Sequence, residues 1–143
     1  MIQITEETIL QMSEHAIRTF PNECCGFFFG SANEDGKLID QSFAVKNSKQ
    51  GDQRKRFEIA PEDYFQGEAY SEQNNTLFAG IYHSHPGHPA IPSEYDRKQA
   101  VPFFSYIILS VNEHEIADIK SWKLNRDGNF EAEKVKILET KKI

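Results

Sequence analysis

Tyr82-His83-Ser84-His85-Pro86-Gly87-His88-Pro89-Ala90-Ile91-Pro92-Ser93-Glu94-Tyr95-Asp96 is the stretch on which the reading turns. Thr76 to Tyr82, just before it, is a short apolar run that predicts a strand leading directly into His83. Side chains two apart on a strand share a face, so His83 and His85 present both imidazoles to one side, and Ser84 points to the other. Pro86, Gly87, Pro89 and Pro92 make residues 86–92 a loop of restricted freedom. Ser93 opens a short helix to about Ala100, and Asp96 falls in its first turn, eleven residues after His85. Two imidazoles and one carboxylate form a catalytic zinc set with a fourth position for water. Each half also has a plainer reading. A His-x-His at a strand end is commonly two surface residues, and Ser93-x-x-Asp96 is the form of a capping box, which needs no metal. The combination points to a metal centre.

Working outward, residues 5–20 predict a helix. Thr5 serves as N-cap, Glu6 and Glu7 complement the dipole, and Ile9, Met12, Ala16 and Phe20 follow at helical spacing. Pro21-Asn22 ends it. Cys24 to Phe29 reads as a buried strand, Asp35-Gly36 as a turn, and Leu38 to Val45 as the returning strand. Arg56-Phe57-Glu58-Ile59 reads as another short strand. Pro61 suits the first position of a helix running to about Glu72. Phe104 to Val111 and Glu115 to Leu124 are strands joined at Asn112-Glu113-His114. Arg126-Asp127-Gly128-Asn129 turns into a last strand at about 129–138. The pattern predicts an α+β fold in α-β-α layers, with a mixed, largely antiparallel sheet flanked by helices.

Composition narrows the classes. At 143 residues the chain suits a single domain, 1–143. Its net charge of -6 argues against a general nucleic-acid binder. No apolar run approaches the roughly 18 residues of a membrane span, and the N-terminus lacks the form of a secretory signal. The two cysteines, Cys24 and Cys25, are adjacent and poorly placed to pair, so a reducing cytoplasm is the expected location. Lys46, Lys49, Arg54, Lys55 and Arg56 make a basic stretch on this acidic chain, either a solvated loop or a substrate-facing wall.

The residues of the opening stretch resemble the JAMM (MPN+) zinc metalloprotease family, small prokaryotic type. Its motif is an upstream glutamate followed by His-[Ser/Thr]-His-x7-Ser-x-x-Asp, and His83, Ser84, His85, Ser93 and Asp96 match it. Glu23, in Pro21-Asn22-Glu23-Cys24-Cys25-Gly26, stands where the glutamate belongs, and Arg56-Phe57-Glu58-Ile59-x-Pro61 is similar to the small members too. The resemblance spans about residues 1–124 and implies a JAMM/MPN-like, cytidine-deaminase-like fold. It implies that His83, His85 and Asp96 bind Zn²⁺, that Glu23 moves the proton of the attacking water, and that Ser93 donates to the oxyanion. Ser84 is then a fold residue. His88 is not needed as a ligand, since three already suffice.

The same resemblance implies hydrolysis of an amide or isopeptide bond after the C-terminal Gly-Gly tail of a ubiquitin-like or sulfur-carrier protein. Arg56 and Phe57, with the basic loop, are candidates for a wall of the groove that receives such a tail. Homodimerisation is left open. Two other readings stay open as well: a phage-tail or cell-wall endopeptidase, and a non-catalytic MPN scaffold. The intact Glu23/His83/His85/Asp96 set argues against the scaffold.

Overall fold

The computed structural model of the protein describes residues 1–139; the last four residues of the expected 1–143 domain lie outside them. Among the described residues, one eight-stranded sheet organises the chain. Its strands are β1 (Ile2–Thr5), β2 (Cys25–Asn33), β3 (Gly36–Val45), β4 (Leu77–Pro86), β5 (Ser105–Val111), β6 (Ile116–Leu124), β7 (Phe130–Glu133) and β8 (Val135–Leu138). The helices are α1 (Glu6–Thr19), α2 (Pro61–Gln73) and α3 (Glu94–Gln99). The strands run in the order β7-β6-β5-β4-β2-β3-β1-β8. Four of the seven pairings are antiparallel and three parallel, so the mixed, largely antiparallel sheet is found. Among the described residues, no helix is long and apolar enough to cross a membrane.

Alternation on the strands splits the interior into two layers. Ile2, Ile4, Phe28, Ile39, Tyr82, Ile107 and Leu109 pack on one face with Met12 and Ala16 of α1. Cys25, Phe27, Phe29, Ile81 and Tyr106 pack on the other, joined by Tyr64 and Tyr70 of α2. Thr5 caps α1, accepting from the Thr8 N–H, and the buried positions Thr8, Met12 and Ala16 recur every four residues. At Gly67 of α2 an added Cβ would stand 2.6 Å from the Phe78 ring, so glycine lets this helix lie close on the sheet. α1 touches β1, β3, β4, β5, β6 and β8. The outermost strands, β7 and β8, are separated in the chain by Lys134 alone. A sheet meeting both conditions is curled around α1 until its two margins come together.

Three expectations are corrected. Ile2–Thr5, of which only Thr5 was given a place, as the cap of the first helix, is a strand, with Ile2 and Ile4 wholly buried. Arg56-Phe57-Glu58-Ile59 is not a strand but irregular backbone, because side chains take up its polar groups: the Glu58 N–H donates to Asn47 Oδ1 and the Ser48 hydroxyl to Glu58 O. The last strand, expected as one element at about 129–138, is two. β7 pairs with β6 and β8 with β1, at opposite margins.

Candidate functional site

β4 runs centrally between β2 and β5, and its end carries the site. The antiparallel register sets Cys25 opposite His83. It continues past the end of β2, with the Ser84 N–H donating to Cys24 O at 3.1 Å and the Cys24 N–H donating to Ser84 Oγ at 2.8 Å. Glu23 therefore comes to lie opposite His85, on the α2 side of the sheet. Ser84 faces the other way, wholly buried. Both cysteines are buried: Cys24 packs with the α1-side core and Cys25 with the α2-side core. Burial pushes the Cys24 thiol up to about 11 and the Cys25 thiol higher still.

Residues 87–93 return the chain to this end of β4, and the capping box forms. The Asp96 N–H donates to Ser93 Oγ at 3.0 Å and the Ser93 N–H to Asp96 Oδ2 at 2.9 Å. That reciprocal cap aims the carboxylate at the imidazoles. His83 Nε2 lies 3.3 Å and His85 Nε2 3.2 Å from Asp96 Oδ2, and the two nitrogens are 3.1 Å apart. A tetrahedral centre with ligand bonds of about 2.0–2.1 Å separates neighbouring donors by about 3.3–3.4 Å. The triangle fits that size closely. His85 Nδ1 lies 2.8 Å from Pro89 O. A carbonyl only accepts, so Nδ1 holds the proton and Nε2 is left with its lone pair toward the cluster. His83, His85 and Asp96 can together hold a metal ion.

The electrostatics agree. Burial tends to raise the Asp96 carboxyl, but the His83 and His85 rings and the Ser93 N–H outweigh it and hold the group well below the usual carboxylate range. Burial lowers the His83 imidazole from its ordinary value, against the pull of Asp96. Glu23 is 1% exposed, and among the described residues its Oε1 has no hydrogen-bond partner. Burial first, then the charge of Asp96, pushes its carboxyl up to about 9. It lies within 4.8 Å of a ring nitrogen of His85 and of one of His88. The His88 ring stacks on His85 with centroids 4.1 Å apart.

Of the two residues offered as a groove wall, Phe57 is 8% exposed and stacks on His83, with centroids 4.5 Å apart. Arg56 is exposed, its guanidinium 4.4 Å above the Tyr95 ring. The basic stretch is partly neutralised within itself: Arg54 pairs with Asp52 and Lys49 with Glu58. Open clefts flank the cluster. One of about 680 Å³ runs between Phe20-Pro21 and Pro86-Gly87-His88, with Arg54 and Lys55 on its lip. The other, about 290 Å³, lies between Ser93 and Trp122. The sequence reading passed over Asn47, Glu58 and Tyr95, which the fold brings to the site. Tyr95 donates to Glu58 at 3.0 Å, beside Asp96 in the chain. No spacing marks these residues; the tendency of asparagine to bond backbone two residues on is the one signal Asn47 gives.

The chain is similar to several known proteins. Residues 5–125 match the family model of prokaryotic homologs of the JAB domain. The chain is 34% identical over 113 residues to a desampylase of Pyrococcus furiosus, across 79% of this chain and 74% of that protein. It is 32% identical over 94 residues to the tail tip assembly protein K of Escherichia phage N15, across 66% of this chain but only 34% of the phage protein. A solution structure from Desulfitobacterium hafniense superposes with a TM-score of 0.85 at 28% identity, covering 98% of this chain and 94% of that one. The crystal structure of a JAB1/MPN domain protein from Archaeoglobus fulgidus shares the fold, with a TM-score of 0.62 at 19% identity over 96% and 99% of the two chains.

Proposed function

The chain belongs to the family of prokaryotic JAB-domain homologs, and from that premise we propose that it is a Zn²⁺-dependent peptidase or isopeptidase. Its substrate is an amide bond after the C-terminal Gly-Gly tail of a ubiquitin-like or sulfur-carrier protein. The observation that carries the reading is the triangle of His83 Nε2, His85 Nε2 and Asp96 Oδ2, with the buried Glu23 carboxylate alongside. Similarity to a desampylase supports the choice of substrate class.

His83, His85 and Asp96 would hold the ion. When bound, Zn²⁺ supplies a Lewis acid, a water acidified toward a pKa of about 7, and a positive charge that returns a neighbouring carboxyl to its ionised form. Glu23 takes the proton of the attacking water and delivers it to the leaving amine, and its burial keeps bulk water from competing for that proton. Ser93 Oγ accepts the Asp96 N–H, which leaves its hydroxyl proton free to be donated to the developing oxyanion. Arg56, held over Tyr95, offers the exposed wall along which an extended tail is laid. Phe57 forms the floor beneath it, against His83.

The test is a ubiquitin-like protein fused through Gly-Gly to a reporter. The zinc-loaded protein should cleave it, a chelator should stop cleavage, and added Zn²⁺ should restore it. Cleavage unaffected by chelator would refute the metal reading. The similarity to a phage tail protein favours a second reading, an endopeptidase of tail or wall peptides. Cleavage of wall-derived peptides with the Gly-Gly fusion left intact would select it.

A further inference from the structure

We propose that Asn47 is a positioning residue whose side-chain amide holds Glu23 at its working place opposite His85. The inference rests on the hydrolase reading above and deepens it.

Glu23 lies between the end of α1 and the start of β2, so neither element supplies partners for its backbone. The segment 47–53 supplies both. The Glu23 N–H donates to Gln53 O at 2.7 Å, and Asn47 Nδ2 donates to Glu23 O at 3.1 Å. Asn47 also determines the shape of that segment. Its Oδ1 accepts the N–H of Lys49 at 3.0 Å and of Glu58 at 3.1 Å, and its Nδ2 donates a second time, to Arg56 O at 3.2 Å. Gln53 closes the ring by donating to Asn47 O and Lys49 O. One amide thus makes four bonds in which the acceptor half folds the loop and the donor half grips Glu23 and Arg56.

The same bonds bracket Phe57, since Arg56 O and the Glu58 N–H are its immediate neighbours. Phe57 stacks on His83. The Asn47 side chain thus links the backbone of the base to the backbone on either side of the ring that packs against the ligand cluster, adding to the placement that the β2–β4 register gives. A general base must sit within about 3 Å of the proton it moves, and a misplacement of about 1 Å can cost two orders of magnitude in rate. Oxygen and nitrogen differ in role here, which makes the proposal separable from plain loop stability: an aspartate at 47 keeps both acceptor bonds and loses both donor bonds.

The experiment compares wild type, Asn47→Asp and Asn47→Ala, each with and without Glu23→Gln, using the Gly-Gly reporter fusion as probe. Asn47→Asp should lower kcat about tenfold, leave KM within about twofold, and keep one zinc per chain. In the Glu23→Gln background neither change at 47 should lower kcat further, because the group it acts through is gone. In zinc-free protein, amide exchange at Glu23 should quicken about tenfold in Asn47→Asp. Asn47→Ala, which adds no charge, should show the same coupling; where it fails to fold, Asn47→Asp carries the test. Unchanged kcat and exchange in Asn47→Asp, an equal loss in the Glu23→Gln background, or zinc loss in proportion to turnover would each overturn the proposal. A wild-type protein that leaves the probe intact would instead overturn the hydrolase reading on which it stands.

Discussion

Replacing Ser84 by alanine tests whether the pairing of β2 with β4 is what delivers Glu23 to the site. The Ser84 hydroxyl accepts the Cys24 N–H at 2.8 Å, and both residues are buried, at 0% and 2% exposure. Alanine removes the acceptor and leaves that amide without a partner where water does not reach. A buried donor stranded in this way costs about 1–3 kcal/mol. With a slope of about 2 kcal/mol per molar urea, the unfolding midpoint should fall by about 0.5–1.5 M. The measurement belongs on metal-stripped protein, so that any difference in metal affinity between the variants cannot contribute to the difference in stability. Ser42→Ala is the control, since its hydroxyl bonds Gln11 at the surface and its loss should shift stability by no more than about 0.5 kcal/mol. Zinc content should stay at that of wild type, as His83 and His85 remain on β4, while turnover falls because Glu23 is tied less firmly. A midpoint equal to that of Ser42→Ala would refute the reasoning.

Glu23→Gln should keep its zinc yet lose at least about 100-fold in turnover; full activity on the reporter fusion would rule out the proton shuttle. Asp96→Ala removes both a proposed ligand and half of the α3 cap, so zinc analysis should find most of the metal gone, and metal-stripped protein should lose about 1 kcal/mol of stability to urea. The Glu23 carboxyl is pushed from 4.5 up to about 9 in the fold. The folded state then binds this proton more tightly than the unfolded state. Its contribution is present below about pH 4.5 and lost as pH rises toward about 9. Metal-stripped wild type should therefore lose stability across that window relative to Glu23→Gln, and parallel stability-pH curves for the two would contradict this. The Cys24 thiol, pushed up to about 11, and its neighbour should resist a thiol-specific reagent at pH 8 until denaturant is added. Rapid labelling of native protein would show the pocket to be open.

What could be read from the sequence was what depends on short-range spacing. His83 and His85 share a face because strands alternate, and Asp96 was marked by its own capping box with Ser93. Both follow from local geometry. Glu23 stands sixty residues from His83 and was reached only through family resemblance, since the register of β2 against β4 leaves no local trace. Phe57 was read as part of a strand because its neighbours alternate; in the fold the backbone of 56–58 is taken up by the Asn47 side chain, which no periodicity announces. The burial of Ile2 and Ile4 was written in their alternation, but four residues before a strong helix start were too few to separate a strand from a lead-in. The division of 129–138 into β7 and β8 depends on the curl of the whole sheet, a property that no ten-residue window contains.

That curl has a bearing on how the protein behaves in company. β1 is flanked on one side by β3 and on the other by β8, so the N-terminal strand is shielded by the last described segment of the chain. A chain cut after Lys134 would leave Ile2–Thr5 with a row of unanswered amides and carbonyls along an open strand edge, an invitation to a neighbouring molecule. Such a truncation should aggregate on standing even though every group of the metal cluster is still present. β8 is in that sense a guard on the edge of β1 against self-association.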